Sequence, residues 1–169
     1  MLPLLSVLIP FLKLDQFKCR QLTPAEIQLC EPIFGNLIDY SKVRIMNHLF
    51  VPWQSPWVVM APYGDIHAHN RHYKADYSQT SLAYQALFIH EMTHIYQYQQ
   101  GTNVLLRGAL LQTAYFLSGK KYNPYAYRLK PNKTFDCYNI EQQGDIARDI
   151  FLNKIPNIIL QPNSINFEH

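Results

Sequence analysis

The stretch of this chain best equipped for chemistry is His90-Glu91-Met92-Thr93-His94. On a helix, residues four apart share one face, about 6 Å apart along the axis. His90 and His94 can therefore offer two imidazole nitrogens to one metal ion. Glu91 lies about a hundred degrees round from His90 and flanks that ion. A carboxylate there can take a proton from a water that the metal holds, which is the physical content of the H-E-x-x-H pattern. The competing reading is a buried helix whose two histidines only satisfy local hydrogen bonds.

A catalytic zinc site takes three protein ligands and keeps one position for water. The extended H-E-x-x-H-x-x-G-x-x-H form is absent, because Ile95-Tyr96-Gln97-Tyr98-Gln99-Gln100 follow His94. The best candidate for a third ligand is Glu141, within Asn139-Ile140-Glu141-Gln142-Gln143-Gly144-Asp145. Glu141 and Asp145 are again four apart and share a helical face. Glu141 could coordinate a single Zn2+, while Asp145 accepts a hydrogen bond from a ligating histidine and fixes its tautomer.

Taken together, these two segments resemble the gluzincin pattern, an H-E-x-x-H helix followed by an E-x-x-x-D helix. The resemblance implies that His90, His94 and Glu141 are zinc ligands, Glu91 the general acid/base and Asp145 the orienting carboxylate. It also implies a donor for the developing oxyanion, commonly His or Tyr in gluzincins. Only the terminal His169 follows Glu141 among the histidines, so Tyr127 and Tyr138 are the catalytic candidates, with Tyr125 behind them. With twelve tyrosines in the chain, any one of them reads first as a packing residue. The chemistry expected is hydrolysis of an amide bond; phosphoesters would favour a richer set of metal carboxylates.

A second likeness covers more of the chain, from about residue 22 to 153. Leu22-Thr23-Pro24-Ala25-Glu26-Ile27, Phe34-Gly35, Ile38 to Ile45, Met60-Ala61-Pro62-Tyr63-Gly64, and Phe88 to Gly101 followed by Asn103-Val104-Leu105 are together similar to small bacterial Vgr- or Rhs-related proteins. Those names are linked to type VI secretion. The resemblance implies a secretion-associated context and no particular substrate; joined to the metal motif, the leading reading is an effector acting on a peptide, protein or peptidoglycan peptide. The alternative is a non-catalytic adaptor or spike-associated module that keeps zinc for structure; Glu91 argues against it, since a structural zinc needs no base.

The elements that must position these residues can also be read. Ser81 to Gln100 contains no Gly or Pro, follows the N-cap candidates Asp76, Ser78, Thr80 and Ser81, and stops at Gly101. It predicts the H-E-x-x-H helix. Thr23-Pro24-Ala25-Glu26 combines an N-cap, Pro at the first helical position and a capping-box Glu, predicting a helix to Phe34. Strands are expected at Val43–Ile45, Trp57–Ala61 and Asp65–Ala68. Helices are expected over Val104–Leu117 and Ile140–Asn153, with Tyr125–Leu129 and Thr134–Tyr138 pairing between them. The class is α+β: a zincin-like domain with a small antiparallel or mixed sheet, an active-site helix and a helical second half. In zincins an edge strand lines the cleft and binds peptide by strand addition, a role for Trp57–Ala61 or Asp65–Ala68 by that resemblance. His67 and His69, two apart, share a strand face and could bind substrate or a second metal; a polar strand surface is the ordinary reading. Trp53 and Trp57, beside Pro52 and Pro56, read as core or loop anchors.

Composition bounds the rest. At 169 residues the chain can bury a core without staples. The expected division is an apolar segment over 1–21, the domain over 22–153 and an irregular tail over 154–169. The net charge is a mild +3, with no dense basic run on a stacking platform, so nucleic acid is excluded as the expected partner. Cys19, Cys30 and Cys137 are odd in number and lack metal spacing, which fits synthesis in a reducing cytoplasm. Met1 to Leu12 is apolar but carries Pro3 and Pro10, no early positive charge and no small-residue cleavage site. It fits a signal peptide poorly and is too short to span a bilayer. The segment reads first as core packing or partner docking, with a membrane the less expected but still open alternative, and export would need a dedicated apparatus.

Overall fold

The computed structural model describes residues 16–131 and 133–161. It is a mixed α+β structure of four helices and one three-stranded sheet. Strand β1 (Cys19–Gln21) pairs antiparallel with β2 (Arg44–Met46), and β2 pairs parallel with β3 (Asp65–His67). Ile45 and Ile66 sit side by side in the register and are both buried. The helices are α1 (Pro24–Phe34), α2 (Leu82–Gln99), α3 (Val104–Leu117) and α4 (Ile140–Phe151).

The capping box of α1 forms as its sequence predicts. Thr23 Oγ1 accepts from the Glu26 amide at 3.1 Å, and the Glu26 carboxylate accepts in return from the Thr23 amide at 2.9 Å. Glu26 is fully buried and does more than cap. It also takes a two-pronged bond from Arg20 of β1, at 2.7 Å on each oxygen, and the Tyr77 amide at 2.7 Å. Tyr77 in turn stacks on Phe88 of α2, with ring centroids 5.2 Å apart. One carboxylate thus ties β1, α1 and the approach to α2 together.

Helix α2 is the centre of the molecule. Ala86, Phe88 to Ile95 and Gln97 are all buried, so the helix is walled on every side rather than along one stripe. Ile89, Met92 and Ile95 join Val43, Ile45 and Ile66 in a single core. Its most extensive neighbour is α4. Ser81 is the N-cap but its side chain makes no cap bond, and Gly101, at φ 81°, ends the helix as expected.

Two expected elements do not form. Residues 57–61 make only an isolated bridge between Met60 and His67. Pro52, Pro56 and Pro62 remove amide donors around it, and Gln54 folds the segment by bonding Phe50 N and Val58 O. The expected pairing of 125–129 with 134–138 is also missing. The carbonyls of Pro124, Ala126 and Arg128 are taken instead by the side chains of Asn139, Gln142 and Tyr138, and Phe135–Cys137 forms a 3-10 turn. The sheet starts at Cys19, ahead of the boundary expected at residue 22. Residues 154–161 carry no helix or strand, yet bury Ile158 and Ile159 and bond Asn157 to the carbonyls of Pro32 and Ile33. The expectations for residues 1–12 lie outside the described residues. Cys19, Cys30 and Cys137 are free thiols.

Because Glu26 holds a buried, multiply bonded charge, Glu26→Ala should cost about 3 kcal/mol or more of folding stability. Denaturant unfolding of the two proteins measures it; a loss below about 1 kcal/mol would contradict this role.

Candidate metal centre

His90 and His94 project from adjacent turns of α2, with ring centroids 5.0 Å apart. Glu141, in the first turn of α4, points an oxygen at both. Glu141 Oε2 lies 3.4 Å from His90 Nε2 and 3.8 Å from His94 Nε2. One ligand atom from each of the three falls within 4.8 Å of the others, so the group could hold a metal ion. Ligands about 2.0–2.1 Å from a tetrahedral ion stand about 3.3 Å apart. The donor set and spacing therefore fit such an ion after a small closing movement.

The outer nitrogens of the two rings are held by different devices. His90 Nδ1 lies 3.1 Å from Asp145 Oδ1, which also pairs with Arg148 at 2.6 Å. A carboxylate accepts only, so Nδ1 carries the proton and Nε2 faces Glu141. His94 Nδ1 lies 2.8 Å from Gln97 Oε1. The Gln97 amide cannot be turned the other way, because its Nε2 donates to Ile140 O and to Gln143 Oε1 at 3.0 and 2.7 Å. Gln143 is fixed in turn by donating to the carbonyls of Phe135 and Tyr138. A chain of amides ending on backbone carbonyls thus sets the His94 tautomer.

Electrostatics mark the same place. Burial alone would depress the His90 imidazole, but its bonds to Asp145 and Glu141 and the nearby Glu91 outweigh that and raise it to about 10. The site, in other words, attracts a positive charge. Glu141 is lowered despite burial, by His90 first and by His94. Glu91 is raised to about 8 by burial, aided by Glu141 and opposed by His90. Its Oε2 is buried with no hydrogen-bond partner, an arrangement that costs stability unless another group uses it.

All five residues line one cleft of about 880 Å³. Its floor is α2 and α4; α3 contributes Leu105, Gly108 and Gln112, and the segment from Trp57 to Pro62 forms the opposite side. The lining is largely apolar around a few convergent polar groups, the usual composition of a small-molecule or peptide site.

Other expected site residues lie elsewhere. The Tyr127 hydroxyl donates to Asp149 at 2.6 Å and the Tyr138 hydroxyl to Arg128 O at 3.1 Å; neither lines the cleft. Tyr125 does, on the same cleft as Glu141. His67 packs its ring 5.3 Å from Phe50, and burial lowers its pKa; neither His67 nor His69 lines the cleft. Trp57, read as an anchor, is instead 68% exposed on the cleft wall with Arg71 over its ring. Gln97 and Gln143 were missed. The three-residue step from His94 to Gln97 was a readable signal, but Gln143 needed the fold. Gly144 was missed too: a Cβ there would meet His90 Cε1 at 2.5 Å.

No family model matches the chain. Among curated proteins it is similar to the type VI secretion system spike protein VgrG2b of Pseudomonas aeruginosa strain PAO1, 53% identical over 136 residues. That match takes in 80% of this chain and spans only 13% of the spike protein's length. Among solved structures it is similar to the effector domain of Pseudomonas aeruginosa VgrG2b, with a TM-score of 0.74 and 50% identity. That comparison covers 86% of this chain and 80% of the other.

Two variants test the geometry. Gln97→Met removes the acceptor for His94 and should weaken metal affinity about 10- to 100-fold, read by competitive titration against a chromophoric chelator; unchanged affinity would remove Gln97 from the site. Gly144→Ala should destabilise by about 1–3 kcal/mol through overpacking, although helix propensity alone favours Ala by about 1 kcal/mol. Denaturant unfolding decides which of the two dominates.

Proposed function

This chain belongs to the family of the VgrG2b effector domain, and from that premise we propose that it is a secretion-associated effector and a zinc-dependent hydrolase of amide bonds. The relative named as a type VI spike protein supports export by a dedicated apparatus. In this reading the domain is gluzincin-like, centred on residues 22–153. His90, His94 and Glu141 are the ligands of one Zn2+, and Asp145 orients His90. The observation that carries it is the unpartnered, buried Glu91 carboxylate standing beside a three-donor cluster on a cleft.

When bound, zinc would supply a Lewis acid and a water acidic enough to ionise near neutrality. Glu91 would receive the proton of the attacking water and pass it to the leaving amine. Tyr125, rather than Tyr127 or Tyr138, is the candidate to donate a hydrogen bond to the developing oxyanion, because it lines the cleft with its ring 6.5 Å from that of His90. The apolar walls would exclude water and select apolar side chains of a peptide.

Glu91→Gln keeps the shape and the three ligands but removes the base. It should bind Zn2+ with affinity close to wild type while hydrolysis of a peptide library falls by about 10²-fold or more. Mass spectrometry of the digested library, with metal content measured on the same samples, checks both halves. Cleavage at the wild-type rate would end the hydrolase reading.

A further inference from the structure

Helix α3 presents its apolar stripe to the outside. Leu106, Leu110, Thr113 and Leu117 follow the i, i+4, i+7, i+11 spacing and fall within an arc of about 60°. Leu106 is 56% exposed, Leu110 61% and Leu117 84%, with Phe116 beside them at 59%. Val104 is the only residue of the helix that is buried. Such a stripe normally faces a core; here the core lies on the far side of the cleft.

Charge singles out the same region. From Met92 to Phe135 the sequence has no Asp or Glu in 44 residues, but six Lys or Arg. The rest of the chain then holds nine basic and twelve acidic residues, so the molecule is polarised. Arg107, Lys120, Lys121, Arg128 and Lys130 are exposed and make no ion pair among the described residues. The left-handed pair Gly119 and Lys120, at φ 63° and 66°, ends α3 sharply. The Lys120 amide closes on Tyr115 O at 2.9 Å, which sets Lys120 and Lys121 directly at the end of the leucine stripe.

We propose that α3 and the basic segment that follows it dock this protein on an anionic lipid surface. The leucines would enter the acyl boundary and the lysines would meet the headgroups, the arrangement of helices that lie in a membrane interface. At 14 residues, α3 is about 21 Å long and lies on a bilayer rather than across it; no helix of the described residues is long and apolar enough to cross one. A second copy on this face would bring two like-charged surfaces together. A neutral apolar partner would cover the leucines and leave the cations unmatched. The docking also brings the cleft beside the surface, because Leu105, Gly108 and Gln112 of the same helix line it. It does not rest on the hydrolase reading.

The test uses the whole chain in co-sedimentation with vesicles of phosphatidylcholine, alone or with about a quarter phosphatidylglycerol, at several salt concentrations. Binding should require the anionic lipid and weaken with salt. Lys120→Gln/Lys121→Gln should lower the partition constant about fivefold for each charge removed, and Leu110→Ser about tenfold. Both sites are exposed, so the variants should unfold at the wild-type denaturant midpoint. Equal binding to neutral and anionic vesicles, or wild-type binding by both variants, overturns the proposal. So does dimerisation in lipid-free ultracentrifugation that Leu110→Ser abolishes, which would assign the face to a second copy.

Discussion

The contact on which the candidate centre depends is the one between Gly144 of α4 and the His90 ring of α2. The imidazole occupies the space that a side chain at 144 would fill. This close approach brings the first turns of α4 up to α2, where Glu141 meets the inner edge of His90 and Asp145 the outer edge. Glycine costs helix stability, and that cost is offset by the extensive packing of the two helices. A Cβ there would force the His90 ring or the α4 backbone to shift.

Around that contact the protein buries polar groups that an ordinary core would avoid. His90, Glu91, His94, Gln97, Gln143 and Asp145 are all buried. Burial of this kind is tolerable when every donor and acceptor is matched. The amide chain from His94 through Gln97 and Gln143 to backbone carbonyls meets that condition. Glu91 does not, and the imbalance lies at the point in the cleft where chemistry would take place. Ile89, Met92 and Ile95, all fully buried on the same helix, supply the apolar burial that holds the polar groups in position.

The molecule is also divided by side. Between α2 and the sheet the packing is dense and apolar, whereas α3 has one wall on the cleft and another facing outward with bare leucines. The Trp57 wall is similarly open. Both rims of the cleft are thus built from segments with few internal partners, while its floor is built from the two most deeply packed helices. A buried floor beneath exposed rims suits a site that must hold a fixed constellation and stay open to a ligand.

Much of this was legible in the sequence. The H-E-x-x-H spacing on an uninterrupted helix, the E-x-x-x-D spacing on another, the capping box at Thr23 and the stop at Gly101 are local patterns, fixed by helical period and terminal hydrogen bonding. They determined which residues share a face, hence which donors could converge. Proline-rich 52–62 and the loop from 124 to 138 were misread, because their carbonyls and amides are satisfied by side chains such as Gln54, Asn139 and Gln142 rather than by a neighbouring strand. Only the tertiary structure decided that Gly144 lets α4 reach His90, that Gln143 orients Gln97, that Tyr125 and not Tyr127 or Tyr138 faces the cleft, and that the leucines of α3 point outward. Those outcomes depend on contacts between residues far apart in the chain, and no period along one segment encodes the distance between two.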